Sequence, residues 1–252
     1  MAQLREILNH GDNLLEAHRF KDYCPNGLQV EGKHEVNHVV TGVSASLELF
    51  QRANDIGGDL ILVHHGLLWQ SGIPIISGSF KRRLKYLLTH NISLVAYHLP
   101  LDAHETLGNN ARLADELHLV DRKPFAEYKG KYIGVMGYLN RELAFSELEA
   151  MVKRVTGGDI ISYSFGKPVV KLIGLVSGGA PEKLTDAVEA SCDCYITGEV
   201  SEPTLHLAKD EMTNFIAAGH YNTEKLGVQA LGESISEEFN IRHTFIDIPN
   251  PV

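Results

Sequence analysis

Short apolar segments alternate with amphipathic segments along most of this chain. Leu60–Val63 is an uninterrupted apolar run, which is typical of a strand buried inside a parallel sheet. Ser44–Ile56 has helical spacing of apolar positions, with Ser44 or Ser46 as a predicted N-cap and Gly57-Gly58 as the stop. This alternation of strands and helices predicts an α/β fold.

The same criteria place the remaining elements. Further strands are expected at Leu28–Val30, Val36–Val43, Ile92–Tyr97, Tyr132–Leu139, Val169–Val176, Cys194–Thr197, Phe215–Ala218 and Thr244–Ile248. Further helices are expected within residues 2–18 and at Lys81–His90, Asn109–Leu117, Phe145–Val155, Pro181–Ala190, Thr204–Glu211 and Glu224–Glu238.

The two halves of this pattern resemble each other. A strand and a helix lead to Asp59, which is followed by four residues and then by His64-His65-Gly66. A second strand and helix lead to Asp193, which is followed by four residues and then by Gly198-Glu199. We therefore expect two similar α/β halves, residues 1–125 and 126–252, related by a pseudo-two-fold axis with a site in the cleft between them.

The repeat continues after the next helix and strand. His98 is followed by Asp102, and His220 is followed at the same spacing by Glu224. In open α/β sheets, ligands bind beyond the carboxyl ends of the strands, which is where these residues are predicted to lie. Any one of them alone is more often a hydrogen-bonded residue at a strand end, so it is the repeat that favours a shared site.

The chemistry of these residues points to metal. The candidates are imidazoles and carboxylates, which suit zinc, iron or manganese, and the set lacks the cysteines of a structural zinc site. Neighbouring strand residues point to opposite faces, so His64 and His65 would more naturally take one metal each. We expect a dinuclear centre with metals roughly 3.5–4 Å apart. The candidates are His64, His65, His98, Asp102, Glu199, His220 and Glu224.

Composition narrows the class of partner. The chain has 252 residues, of which 44% are hydrophobic and 22% charged, as in an ordinary globular protein. Its formal charge of -9 argues against general binding of nucleic acid, although a small phosphorylated ligand in a local pocket remains compatible with it. The 13 histidines are many for this length and favour metal binding.

The cysteines and the N-terminus bear on location. The three cysteines form no paired framework, which indicates a reducing compartment, and we interpret Cys192-Asp193-Cys194 as structural. The N-terminus lacks the apolar core of a signal peptide, and no segment is long enough to span a membrane. A cytoplasmic protein with no membrane partner is expected.

A loop broken by Gly and Pro follows the two histidines at residues 67–80. Loops of this size are often lids or binding loops, so Trp69 either covers the site or packs against the next helix. The basic run Lys81–Lys85 comes next. It is either a solvated helix face or a contact for a phosphate.

Six motifs resemble those of one known family, the bacterial GTP cyclohydrolase I type 2 homologues, which are relatives of the Nif-three-like dinuclear metal-centre proteins. The similarity covers essentially the whole chain. Its motifs are Pro25-Asn-Gly-Leu-Gln-Val-Glu-Gly32, Val63-His-His-Gly66, His98-Leu-Pro-Leu-Asp102, Gly108-Asn-Asn110, Ile196-Thr-Gly-Glu199 and Gly219-His-Tyr-Asn-Thr-Glu224.

This resemblance implies a role for each candidate residue. Glu224 would bridge two divalent metal ions, and His98 and Glu199 would be acid–base groups or partners of the ligands. The resemblance also implies a toroidal homohexamer of two-halved chains. The implied metal ligands are His64, His65, Asp102, His220 and Glu224.

Two functions remain open at this point. One is a dinuclear-metal-dependent hydrolase acting on a small molecule such as a nucleotide or related cyclic amidine. The family name implies opening of the guanine imidazole ring of GTP, with a water attacking C8 and His98 or Glu199 moving the proton. The other is a non-catalytic metal-binding scaffold that works through partners, which would not need His98 or Glu199.

Overall fold

The computed structural model describes residues 1–69 and 75–252 of the chain. The fold consists of two compact α/β units. Unit 1 comprises Met1–Leu101 and Gly227–Ile248, and unit 2 comprises Asp102–Leu226 and Pro249–Val252. The division therefore falls before Asp102 and not between residues 125 and 126 as expected, and unit 1 also takes a C-terminal segment.

The described residues form thirteen strands. They are β1 (Ala2–Gln3), β2 (Gly27–Val30), β3 (Glu35–Val36), β4 (His38–Ser44), β5 (Leu60–His65), β6 (Ser93–Ala96), β7 (Leu119–Tyr128), β8 (Lys131–Ala144), β9 (Ile161–Tyr163), β10 (Val169–Leu175), β11 (Cys194–Thr197), β12 (Asn214–Ala217) and β13 (Arg242–Phe245).

The α-helices connect these strands. They are α1 (Leu4–Leu14), α2 (Leu47–Asp55), α3 (Gly78–His90), α4 (Leu99–Ala103), α5 (Asn109–Glu116), α6 (Phe145–Thr156), α7 (Leu184–Glu189), α8 (Thr204–Asp210), α9 (His220–Thr223) and α10 (Lys225–Phe239). Short 3₁₀ turns occur at Ala17–Arg19 and Pro181–Lys183.

Unit 1 is built on a five-stranded sheet in the order β13-β4-β5-β6-β2. Strands β13, β4, β5 and β6 run parallel, and β2 is antiparallel to β6. Ser46 caps α2 by accepting a hydrogen bond from the Leu49 N–H. The core lies between this sheet and α2 and α3, with Leu49, Phe50 and Leu87 fully buried in it.

Unit 2 is built on a six-stranded sheet in the order β7-β8-β10-β11-β12-β9. Strands β10, β11 and β12 run parallel, while β8 pairs antiparallel with β10 and β9 pairs antiparallel with β12. Helices α5 and α6 contribute Leu113, Leu148 and Val152 to its core. Each unit therefore has three central parallel strands and an antiparallel edge strand beyond the third, which confirms the two similar halves.

One strand pair explains why the boundary differs from the expected one. Strand β7 was absent from the predicted elements, yet it forms a hairpin with β8 in which Tyr128 is opposite Lys131. The two turn residues, Lys129 and Gly130, both have positive φ, as a two-residue hairpin turn with right-handed strand twist requires. The hairpin joins residues 119–128 to the second sheet, whereas β13 pairs with β4 in the first.

Other differences are local. The short elements β9 and α4 were not predicted, and α3 begins at Gly78, so it takes the end of the predicted 67–80 loop. Residues 70–74 of that loop lie outside the described residues. Within the basic run, Arg83 donates a hydrogen bond from Nη1 to the carbonyl of Ala45 at 2.9 Å. The other basic residues of the run, Lys81, Arg82 and Lys85, are exposed.

The cysteines are free thiols in buried positions. Burial and the charge of Asp193 raise the pKa of Cys192 to about 12, and burial raises the pKa of the fully enclosed Cys194 well above its ordinary value. Neutral, buried thiols are poor metal ligands, in agreement with the structural interpretation. No helix among residues 1–69 and 75–252 has the length and apolarity needed to cross a membrane.

Candidate functional site

Three imidazoles meet at the carboxyl ends of β5 and β6 in unit 1. His64 and His65 end β5, and His98 follows β6, so the parallel pairing of these strands puts them side by side. Ring centroids are 4.7 Å apart for His64 and His65 and 4.9 Å apart for His64 and His98. Each ring offers one nitrogen within 4.8 Å of the others, an arrangement able to hold a metal ion.

His64 is held in the form that a metal requires. Its side chain is fully buried, and Nδ1 donates a hydrogen bond to the Tyr97 carbonyl at 3.0 Å. A carbonyl can only accept, so Nδ1 carries a proton, and Nε2 is the nitrogen whose lone pair can bind a metal. His65 is half-buried, and its Nδ1 lies 3.1 Å from the hydroxyl of Ser44.

His98 is oriented by a carboxylate that the sequence did not single out. Its Nδ1 donates to Oδ1 of Asp22 at 2.9 Å, and both side chains are buried. Asp22 also accepts from the backbone N–H groups of Cys24 and Leu99 and from the amide of Asn26. Burial raises the pKa of Asp22, but these hydrogen bonds and the charge of His98 outweigh it and lower the pKa to about 2.

A second unforeseen residue fixes the loop after His65. The Gln29 carbonyl oxygen accepts from the N–H groups of Leu67 and Leu68 at 2.7 and 3.0 Å. Its amide nitrogen donates to the Pro25 carbonyl at 2.9 Å. Gly66 lies against this amide, and a Cβ there would collide with it. Asp22, Asn26 and Gln29 belong to or adjoin the Pro25–Gly32 motif, so the motif itself was the available signal.

Unit 2 carries the carboxylates. Glu224 is almost fully buried, and its Oε2 lies 3.2 Å from Nε2 of His220. The other ring nitrogen of His220, Nδ1, lies 2.5 Å from Oε1 of Glu199. Burial lowers the pKa of His220, but the hydrogen bonds and charges of Glu224 and Glu199 raise it to about 9. A cation bound at this imidazole would therefore have to displace a proton.

Asp102 approaches the same carboxylate. Oxygens of Asp102 and Glu224 lie within 4.8 Å of each other. The Oδ1 atom of Asp102 accepts from Asn109 Nδ2 at 2.9 Å and from the Ser177 hydroxyl at 3.1 Å. Two buried carboxylates this close repel each other, which favours a cation between them.

Asn110 explains why the Gly108-Asn-Asn110 motif accompanies Asp102. Its amide donates to the carbonyls of Asp102 and Ile133, and its oxygen accepts from the N–H of Ser177. The start of α5 thus fixes both Asp102 and Ser177, whose hydroxyl donates to Asp102. Within unit 2, three of the predicted metal ligands are adjacent: Asp102, His220 and Glu224.

Comparison with known proteins agrees with this picture. Residues 2–251 match the family described as Duf34/NIF3 (NGG1p interacting factor 3). The chain belongs to the Duf34/NIF3 family. A Pseudomonas aeruginosa member named GTP cyclohydrolase 1 type 2 homolog is 42% identical over 248 residues, covering 98% of each chain.

Solved structures of similar proteins share the fold along their whole length. Protein ybgI, described as being of unknown function, is 38% identical, with a TM-score of 0.95 and full coverage of both chains. TTHA1606 from Thermus thermophilus is 34% identical, with a TM-score of 0.89 and the same coverage. The resemblance inferred from the motifs is confirmed, as are the α/β fold and its two halves.

Proposed function

We propose that this Duf34/NIF3 chain is a dinuclear-metal-dependent hydrolase that acts on a nucleotide or a related cyclic amidine. The observation that carries the proposal is the donor chemistry at the strand ends. Unit 1 offers clustered imidazole nitrogens, and unit 2 offers two carboxylates and an imidazole. Nitrogen and oxygen donors of this kind suit zinc, iron or manganese.

The proposed ligands each have a supporting contact. Carbonyl, hydroxyl and amide groups hold His64, His65 and Asp102, as is usual for the residues around a metal ion. Glu224 is proposed to bridge two ions because both Asp102 and His220 approach it. The proposed set is His64, His65, Asp102, His220 and Glu224.

Two divalent ions held by these residues would lower the pKa of a water and polarise the group that it attacks. His98 is proposed to move the proton, because Asp22 occupies its Nδ1 and leaves Nε2 for the exchange. Glu199 is engaged by His220 Nδ1, which favours a positioning role for this carboxylate over direct acid–base work.

The name shared by its relatives suggests a substrate class for this chain. Opening the imidazole ring of guanine is hydrolysis of a cyclic amidine, the type of reaction proposed here. We propose a small molecule of this kind as the substrate and a toroidal homohexamer as the assembly. Light scattering on the purified protein tests the assembly, since a monomer or dimer would contradict it.

The function is tested by screening metal-loaded protein against GTP, other nucleotides and cyclic amidines, with products identified by mass. A product heavier than the substrate by one water, absent from chelator-treated protein, is the expected result. Tight metal binding with no product from any of these compounds would instead favour the scaffold, which needs no water activation.

A further inference from the structure

Two large aromatic side chains are exposed beside the three histidines of unit 1. Tyr23 is 45% exposed and Trp69 is 37% exposed. Their rings stack on each other, with centroids 5.7 Å apart and planes inclined by 27°. Single exposed apolar residues are common on proteins, but a stacked pair beside chemically active groups is not explained by ordinary surface composition.

The pair contacts the candidate proton-transfer residue directly. Tyr23 meets the His98 ring edge-on, with centroids 4.9 Å apart, and Trp69 does so at 5.5 Å. Trp69 also lies 6.0 Å from the ring of His65. A flat molecule resting on these rings would therefore be within reach of the groups proposed to carry out the chemistry.

The backbone that presents each ring is fixed. Asp22, which holds His98, also accepts from the N–H that follows Tyr23, so one carboxylate ties that aromatic residue to the imidazole. Gln29 holds the N–H groups of Leu67 and Leu68 immediately before Trp69. Rings presented in this way lose little conformational entropy when a ligand binds, which is the property of a preformed recognition surface.

We propose that Tyr23 and Trp69 form a stacking platform for a planar, nitrogen-containing unsaturated ring of the substrate, and that they select for that ring. This inference rests on the proposed function, because it places the ring next to the proposed hydrolytic site. Aromatic faces bind any flat π-system and also attract cationic rings such as protonated amidines. The platform therefore sets the class of substrate, while more specific polar contacts would select among its members.

The test uses an intrinsic probe, because Trp69 is the sole tryptophan of the chain. Full-length protein is titrated with GMP, AMP and ribose 5-phosphate while tryptophan fluorescence is recorded. We expect the two nucleotides to quench the emission saturably and ribose 5-phosphate, which has the sugar and phosphate but no ring, to leave it unchanged. Equal responses to all three compounds, or no response to any, would overturn the platform.

Variants separate stacking from structural damage. Tyr23→Leu should weaken nucleotide binding by about 5- to 100-fold, the range found when a base loses an aromatic partner, whereas Tyr23→Phe should bind like the parent. Trp69→Leu, measured by calorimetry, should show the same loss as Tyr23→Leu. Tyr138, which is 40% exposed on β8, supplies the control, and Tyr138→Leu should leave binding unchanged.

The outcome is separable from that of the proposed function by repeating the titration on chelator-treated protein. Ring-selective quenching that needs no metal, in a protein with no hydrolytic activity, would support the platform and contradict the hydrolase. Turnover by metal-loaded protein, together with equal nucleotide affinity in Tyr23→Leu and the parent, would support the hydrolase and contradict the platform. An emission maximum that shifts when the protein concentration is raised without any ligand would mean that a second copy covers the rings. That result also overturns the proposal.

Discussion

The Nδ1 atom of His98 and the Oδ1 atom of Asp22 are 2.9 Å apart, and both side chains are buried. The carboxylate has its remaining capacity filled by two backbone N–H groups and one side-chain amide, so it cannot rotate away without losing several hydrogen bonds. The imidazole therefore has one orientation, with Nε2 as its reactive nitrogen.

This pair predicts that His98→Ala retains most of the metal and the fold but lowers turnover by about 100-fold or more, the usual contribution of general acid–base assistance. Asp22→Asn should lower turnover in the same direction, because an amide facing Nδ1 no longer requires that nitrogen to carry the proton. Rate and metal content are measured on the same preparations.

His98 also has a nitrogen within 4.8 Å of those of His64 and His65, so it has the geometry of a ligand as well. Loss of metal from His98→Ala would assign it to the ligands instead. Full metal content with an undiminished rate would remove it from the mechanism altogether.

The position of Glu224 between Asp102 and His220 predicts how metal is lost. Glu224→Ala should lose both ions of the expected two per chain, because a bridging carboxylate contacts both. Asp102→Ala or His220→Ala should lose chiefly one. Elemental analysis measures the content, and Glu233→Ala, an exposed carboxylate on α10, is the control. Full metal content in Glu224→Ala would rule out the bridge.

Much of the site was predictable because its signals are local. The apolar run before His64, the shared spacing in the two halves and the His-to-carboxylate interval are all visible over short windows of sequence. The parallel pairing of β5 with β6 and of β11 with β12 then makes strand ends adjacent without further information. These features predicted the fold and the candidate residues.

The rest depends on contacts between distant parts of the chain. Asp22 acts on a residue 76 positions away, and Gln29 holds N–H groups 38 and 39 positions away, so neither shows any spacing pattern. Strand β7 was missed because Val120–Pro124 is exposed and rich in charge, which hides the alternation of a strand. The pairing of β7 with β8 places residues 119–128 in the second sheet, and this pairing has no local signal in the sequence.

Gly178 provides a test of how tightly Glu224 is confined. Its φ is +69°, and a Cβ at this position would overlap Oε1 of Glu224 and approach Nε2 of His220. Gly178→Ala should therefore destabilise the fold and displace the carboxylate, with loss of metal. Gly57 has a similar φ of +72° but nothing near its missing Cβ, so Gly57→Ala should show the backbone cost alone, about 1–2 kcal/mol.

Thermal unfolding and metal content of the two variants are compared side by side. The excess destabilisation of Gly178→Ala over Gly57→Ala measures the collision, and only the former should lose metal. Equal unfolding temperatures together with equal metal content would show that Glu224 moves aside freely, which is incompatible with a confined bridging ligand.

Each unit has a carboxylate, Asp59 or Asp193, whose side chain is only 9% or 10% exposed and which has equivalent partners. Asp59 accepts hydrogen bonds from the N–H groups of Asn37 and His38 and forms an ion pair with Lys33. Asp193 likewise accepts from the N–H groups of Lys171 and Leu172 and forms an ion pair with Lys167. Burial raises the pKa of each carboxyl, but these hydrogen bonds and lysine charges outweigh it and lower the pKa below 3.8.

A lowered pKa in the folded state means that the stabilisation is fully present above pH 3.8 and disappears as the pH falls through the folded-state value. Asp59→Asn and Asp193→Asn should each cost about 1.5–3 kcal/mol at neutral pH, the range for hydrogen bonds to a charged group. That cost should shrink at low pH, because the Asp59 and Asp193 carboxylates of the parent protein then become protonated as well. Urea midpoints measured from neutral pH down through this range give the comparison.

Asp159 is the control, because its pKa is also lowered, by Lys153, but its side chain is 95% exposed. An ion pair in water contributes little, so Asp159→Asn should leave the midpoints nearly unchanged at every pH. If Asp59→Asn and Asp193→Asn behaved like Asp159→Asn, the buried hydrogen bonds would not be the source of the stabilisation. If only one of the two were destabilising, the equivalence of the two units would be limited to topology and would not extend to energetics.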